Sequence, residues 1–176
     1  MKKEIIPINL NLITRGAMAI ALIFIFFSLF RGSTNIINAF LVPLTLYLST
    51  INLKKKQIFT LYAAVIIFCL LFFNIQFFFI IFYCCIAFLL IKLREKNVNA
   101  VLSTLILTLT VSFSFWIGIM LTDLLFLTRM TDIVMNILKG NIFAYGMMLL
   151  IEGALVGICL LFISRVFYKR LSRLYK

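Results

Sequence analysis

Histidine is missing from this sequence altogether. That removes Ser-His-Asp triads, Cys-His pairs and histidine-rich metal sites. Acidic side chains are nearly as scarce: Glu4, Glu95, Asp123, Asp132 and Glu152 are the only five. Glu4 and Glu95 sit among lysines and arginines, the setting of solvated surface charge. Asp123 and Asp132 are the one carboxylate pair open to an intramembrane hydrolase. They meet only if the chain between them folds to bring them together. No glycine-rich phosphate loop is present, so no ATPase activity of the chain's own is expected. The cysteines, Cys69, Cys84, Cys85 and Cys159, all fall inside apolar runs. Adjacent Cys84 and Cys85 point to different faces of one helix, so they suit neither a disulfide framework nor a metal knuckle. The expectation is a protein that is not an enzyme and carries no metal and no cofactor.

A soluble core is excluded as well. Charged residues make up 12% of the 176 and hydrophobic ones 65%, with a mean hydropathy of +1.20. No soluble domain of this size hides that much apolar surface. Long apolar runs instead mark crossings of a bilayer. The length fits a single transmembrane domain, residues 1–176.

The runs predict an all-α integral membrane protein with six transmembrane helices. They cover roughly 10–30, 33–53, 57–73, 77–93, 98–120 and 141–164, each near the ~20 residues that span ~30 Å of hydrocarbon. Asn74, Ile75 and Gln76 make a tight hairpin, because an unbroken helix through them is too long for one crossing. In the fifth run, "TLTVSFSFW" alternates like a strand. A lone strand leaves its backbone unsatisfied in lipid, so a helix is predicted there too.

Basic residues set the expected orientation. With the N-terminus in the cytoplasm, Lys2, Lys3, Arg15, Lys54, Lys55, Lys56, Lys92, Arg94, Lys96, Arg165, Lys169, Arg170, Arg173 and Lys176 fall inside. Only Arg31, Arg129 and Lys139 fall outside, a division of 14 to 3. Both termini are therefore expected to be cytoplasmic. The net charge of +12 is then the ordinary result of anchoring beside anionic membrane lipid, and no nucleic-acid partner is implied. The basic start "MKKE" is not followed by a small-residue cleavage site after the first run, so that span is expected to be retained.

Glu152 is the residue that most needs a reason. It lies near the middle of the sixth run, in "MLLIEGALVG", where a carboxylate must be paired, protonated or facing a polar cavity. Asn141, Tyr145, Met148 and Glu152 share one helical stripe. Two readings stand side by side: the stripe lines a ligand pocket, or Glu152 is buried and bonded to a neighbour such as Thr108 or Ser112. Beside it, Gly153 and Gly157 form a small-xxx-small pair suited to close helix packing. The segment 121–140, "LTDLLFLTRMTDIVMNILKG", has apolar residues at helical spacing interrupted by charge. It reads as an amphipathic cap on the outer surface, either a lid or a passive interfacial helix.

The first run opens on "GAMAIALIFIF". Ala17 and Ala21 lie four residues apart and share a face, whereas Ala19 points elsewhere. Six spans, cytoplasmic termini, no nucleotide site and this Ala-x-x-x-Ala together resemble the substrate-binding S components of energy-coupling factor (ECF) transporters. The YybS-like membrane proteins look similar in the same way. The resemblance implies a bacterial cell-membrane protein that captures a vitamin-like small molecule. It implies partners as well: a transmembrane coupling subunit, docked through Ala17 and Ala21, and ATPase subunits. Polar and aromatic residues near the outer ends would select the ligand: Asn35, Asn38, Asn74, Gln76, Trp116, Asn141, Tyr145 and, deeper, Glu152. Trp116 also suits an interfacial anchor. The alternative is a non-catalytic scaffold or accessory subunit, similar in size and span number to the MreD family, in which Glu152 is structural and the tail "RVFYKRLSRLYK" holds a partner.

Overall fold

The computed structural model describes residues 10–30, 36–51 and 53–174, and every regular element among them is helical. Lys2, Lys3, Glu4, Arg31, Asn35 and Lys176 lie outside the described residues. The α-helices are α1 (Leu10–Leu29), α2 (Ile36–Ser49), α3 (Lys55–Phe72), α4 (Phe77–Glu95), α5 (Ala100–Phe126), α6 (Met130–Ile137) and α7 (Ile142–Leu174). A single 3-10 turn, Asn74–Gln76, joins α3 to α4. It sits where the hairpin was expected. Five helices, α1, α3, α4, α5 and α7, are long and apolar enough to cross a membrane. The chain is a helical multi-pass membrane protein. The alternating stretch in the fifth run is helical, as the backbone's need for hydrogen bonds requires.

The second run is the element that differs from a full span. α2 has 14 residues, about 21 Å at the usual helical rise, less than the ~30 Å hydrocarbon core. Its ends nevertheless match those of α1. Asn38 Nδ2 donates to the Phe30 carbonyl at 2.8 Å, and the Arg15 guanidinium donates to the carbonyl of Ile51. α2 with its following turn thus runs antiparallel beside α1 from the level of Phe30 back to that of Arg15. It is a largely inward-facing helix, burying Asn38, Ala39, Val42, Pro43, Leu44, Leu46 and Tyr47. Pro43 removes one backbone donor from the ladder, a loss tolerated where neighbouring helices enclose the site.

Side-chain contacts fix how the ends alternate. Phe24 meets Phe68 and Phe73 edge-on at 6.0 and 5.5 Å, and Phe27 meets Phe73 at 5.3 Å. The C-terminal ends of α1 and α3 therefore lie together. Edge-to-face pairs of this kind contribute about 0.5–1.5 kcal/mol beyond their buried area. Phe78 of α4 lies 6.4 Å from Phe126 of α5, so the start of α4 adjoins the end of α5. At the opposite end, Arg94 of α4 reaches Tyr47 of α2 and Tyr168 of α7. That end also holds Arg15, Lys54, Lys55, Lys56, Lys92, Lys96, Arg165, Lys169 and Arg170. Among the described basic residues, only Arg129 and Lys139 belong to the other end.

The tightest seam is between α5 and α7. Gly153 and Gly157 of α7 lie against Thr108 and Ser112 of α5. A Cβ on Gly153 would stand 2.7 Å from the Thr108 carbonyl oxygen, and one on Gly157 would stand 3.1 Å from the Thr108 nitrogen. Ser112 Oγ lies 2.9 Å from both the Thr108 and the Leu149 carbonyls, tying the two helices together. Lipid offers no hydrophobic drive between helices, so close backbone approach and a cross-helix hydrogen bond carry such a seam. The small-xxx-small pair legible in the sequence does its packing here.

Candidate functional site

The residues singled out in the sequence occupy four different places. Asn141 precedes α7, and its side-chain oxygen accepts from Ala144 N at 3.1 Å, an ordinary helix cap. Asn74 is exposed in the turn between α3 and α4. Trp116 is 45% exposed on α5 and lines an open groove of about 820 Å³ between α5 and α7, with Phe113, Phe143, Gly146 and Leu150. The groove wall is almost wholly apolar, which suits acyl chains or another helix. Tyr145 is buried and Glu152 half-buried on α7, and neither lines that groove.

Glu152 is the only carboxylate of the set. No hydrogen bond or ion pair to its carboxylate is present among the described residues. Ser112, one of the neighbours expected to hold it, instead turns its hydroxyl to the carbonyls of Thr108 and Leu149. The Tyr145 phenol lies within electrostatic range of both Glu152 and Asp123. Toward the less basic end, two further polar groups are incompletely matched. Asn38 is 1% exposed, and its Oδ1 has no hydrogen-bond partner among the described residues; the same holds for Gln76 Oε1. Buried acceptors are normally paired, so unmatched ones are open to a donor from elsewhere.

Asp123 has a structural job that its sequence position did not reveal. Its Oδ1 accepts from Thr128 Oγ1 at 2.6 Å and Met130 N at 2.7 Å. Its Oδ2 accepts from Thr131 N at 2.7 Å and Thr131 Oγ1 at 2.6 Å. The carboxylate thereby caps the first turn of α6 from the end of α5, across a turn in which Leu127 and Arg129 both have φ of 54°. The amphipathic stretch expected over 121–140 is divided by this turn. Residues 121–126 continue α5, and α6 keeps only Met130–Ile137. Asp132 is exposed in the first turn of α6. Sequence spacing missed the cap because its acceptor and donors are separated by a non-helical link.

On α1 the small residues divide as their spacing demands. Ala19, Ile23 and Phe27 are 2%, 0% and 1% exposed and pack into the bundle. Ala17 and Ala21 are exposed on another face of the helix. The cysteines are all free, Cys69 and Cys84 buried, Cys85 and Cys159 exposed.

No protein-family model, curated protein or solved structure matches the chain.

Proposed function

We propose that this protein is a membrane substrate-binding subunit that captures a vitamin-like small molecule for uptake by an ATP-driven transporter, as the S components of ECF transporters do. The observation that carries the reading is Glu152, a half-buried carboxylate about a third of the way along the membrane-spanning helix α7, with no partner among the described residues. An intramembrane acid in that state is a binding group by default. The unmatched acceptors of Asn38 and Gln76 support a polar ligand entering from the less basic end. The outward Ala17 and Ala21 support docking of a transmembrane coupling subunit, itself joined to ATPase subunits, because small residues admit a close helix approach.

The proposal includes six crossings with both termini in the cytoplasm. The segregation of basic residues at one end of the bundle supports that orientation. In a variant whose native cysteines are replaced, Lys55→Cys is expected to react with a membrane-impermeant thiol reagent only after cells are opened. Labelling in intact cells would reverse the topology.

A second reading, a non-catalytic scaffold or accessory subunit resembling MreD, draws on a different observation. Glu152, Asn74 and Asn141 do not line the groove beside Trp116, and that groove is apolar enough to receive a partner helix. Mass spectrometry of small molecules retained by the gently purified protein separates the two. The transporter reading expects a bound compound whose retention falls about tenfold or more in Glu152→Gln, the loss of one charge-assisted hydrogen bond worth ~1.5–3 kcal/mol. The fold is expected to survive, since a neutral amide is cheaper to bury than an unpaired carboxylate. Equal retention by wild type and Glu152→Gln would remove Glu152 from the site. A co-purifying protein with no retained compound would favour the scaffold.

A further inference from the structure

We propose that the cleft at the basic end of the bundle, between α2, α4 and α7, binds the phosphate of an anionic phospholipid headgroup. The cleft has a volume of about 390 Å³ and is lined by Tyr47, Arg94, Arg165 and Tyr168, with Leu90 and Leu161 among its apolar walls. Arg94 is held in place before any ligand arrives. Its guanidinium lies 4.2 Å from the centre of the Tyr168 ring and 5.6 Å from that of Tyr47. Its Nη1 donates to the Tyr47 hydroxyl at 3.2 Å. One of five N–H donors is thus used, and the others keep the planar fork that suits phosphate oxygens. Arg165 brings a second cation to the same cleft.

Among the described residues no carboxylate lines the cleft to match them. Among the described residues, Glu95 is bonded to Lys92 at 2.8 Å at the surface. Asp123 caps α6 at the far end of the bundle, and Asp132 lies on α6 itself. Glu152 stands thirteen residues before Arg165 on α7, about 20 Å along the helix. Exposed Glu95 acts on Arg94 only through space, since its short ion pair goes to Lys92. A half-buried, oriented guanidinium with no carboxylate bonded to it is an incomplete ion pair, and desolvated charge is costly until it is matched. The end of the bundle that collects the basic residues is the level where anionic headgroups lie in a membrane oriented by the positive-inside bias. A phosphodiester completes the pair, and the leucine-lined wall receives the start of an acyl chain. Free phosphate offers the same oxygens without the chain.

The test uses the full-length protein in detergent micelles, with native mass spectrometry after titration of phosphatidylglycerol, phosphatidylcholine or inorganic phosphate. Wild type is expected to retain phosphatidylglycerol selectively over phosphatidylcholine. Retention should fall about tenfold in Arg94→Gln and in Arg165→Gln, each removing charge-assisted bonds to phosphate. Arg165 is exposed and makes no bond to the rest of the described chain, so Arg165→Gln tests the cleft without disturbing the fold. Equal phosphatidylglycerol retention by wild type and Arg165→Gln overturns the proposal. So does equal retention of phosphatidylcholine. Displacement of phosphatidylglycerol by an equal concentration of inorganic phosphate assigns the cleft to free phosphate and overturns the lipid.

Discussion

Gly153→Leu is expected to abolish the folded, monodisperse protein. A Cβ at this position would collide with Ser112 Oγ and lie 2.7 Å from the Thr108 carbonyl oxygen. The serine hydroxyl can rotate away, but then its bond to the Leu149 carbonyl across the seam is lost. The Thr108 oxygen belongs to the backbone of α5 and cannot move without shifting the helix. Even Gly153→Ala must therefore push α5 and α7 apart, an overpacking penalty of about 1–3 kcal/mol. Leucine adds a branched side chain to a space that does not accept one methyl group. Thermal melting followed by size-exclusion chromatography in detergent measures the effect. The order of stability should be wild type, then alanine, then leucine, with leucine aggregated. Gly146→Ala is the control on the same helix, because nothing lies within 4 Å of its Cβ. A wild-type melting temperature for Gly153→Leu would show that the two helices do not meet as described.

The second large effect is at Asp123. Asp123→Ala removes the acceptor of four hydrogen bonds at once, two from backbone amides of α6 and two from threonine hydroxyls. Loss of a helix cap together with charge-assisted bonds is expected to destabilise the α5–α6 link by about 2 kcal/mol, less than the sum of the bonds because water reaches this end. The helix it caps is short, with eight residues. Such a helix has little stability of its own, so the link should open locally before the bundle does. Limited proteolysis is the direct measurement, with faster cleavage between Phe126 and Thr131 in the variant and an intact core. Asp123→Asn keeps one acceptor oxygen and should fall between the two. Cleavage of Asp123→Ala at the wild-type rate would show that the carboxylate does not hold the turn.

Asp123 also shows why a carboxylate is ambiguous in sequence. It was one half of the only acidic pair, and spacing alone left it open to catalysis or to structure. The capping geometry depends on two left-handed residues, Leu127 and Arg129, which no helical periodicity announces. Asn141, read in the sequence as part of a ligand-lining stripe, is a second residue whose role is structural. It stands immediately before a long apolar run, where caps belong, and it caps.

The sequence by itself determined the solvent, the helices and the charge division. A long apolar run in lipid has to close its backbone hydrogen bonds internally, so composition alone dictates helices. Polar breaks then placed most helix ends within a few residues of where the structure has them. The basic residues fall in alternate connections, and alternation of up and down helices collects them at one end without any tertiary detail. Facing was a different matter. Helices that are apolar on nearly every side carry little pattern to say which side turns inward. Spacing put Ala17 with Ala21 and Ala19 elsewhere, but only packing decided that Ala19 goes in and the other two stay out. The same holds for Ser112, which turned to the Leu149 carbonyl rather than to Glu152, and for Arg94, set between Tyr47 and Tyr168. These side chains are brought together from helices distant in sequence, and their meeting depends on helix rotation and depth that only the assembled bundle fixes.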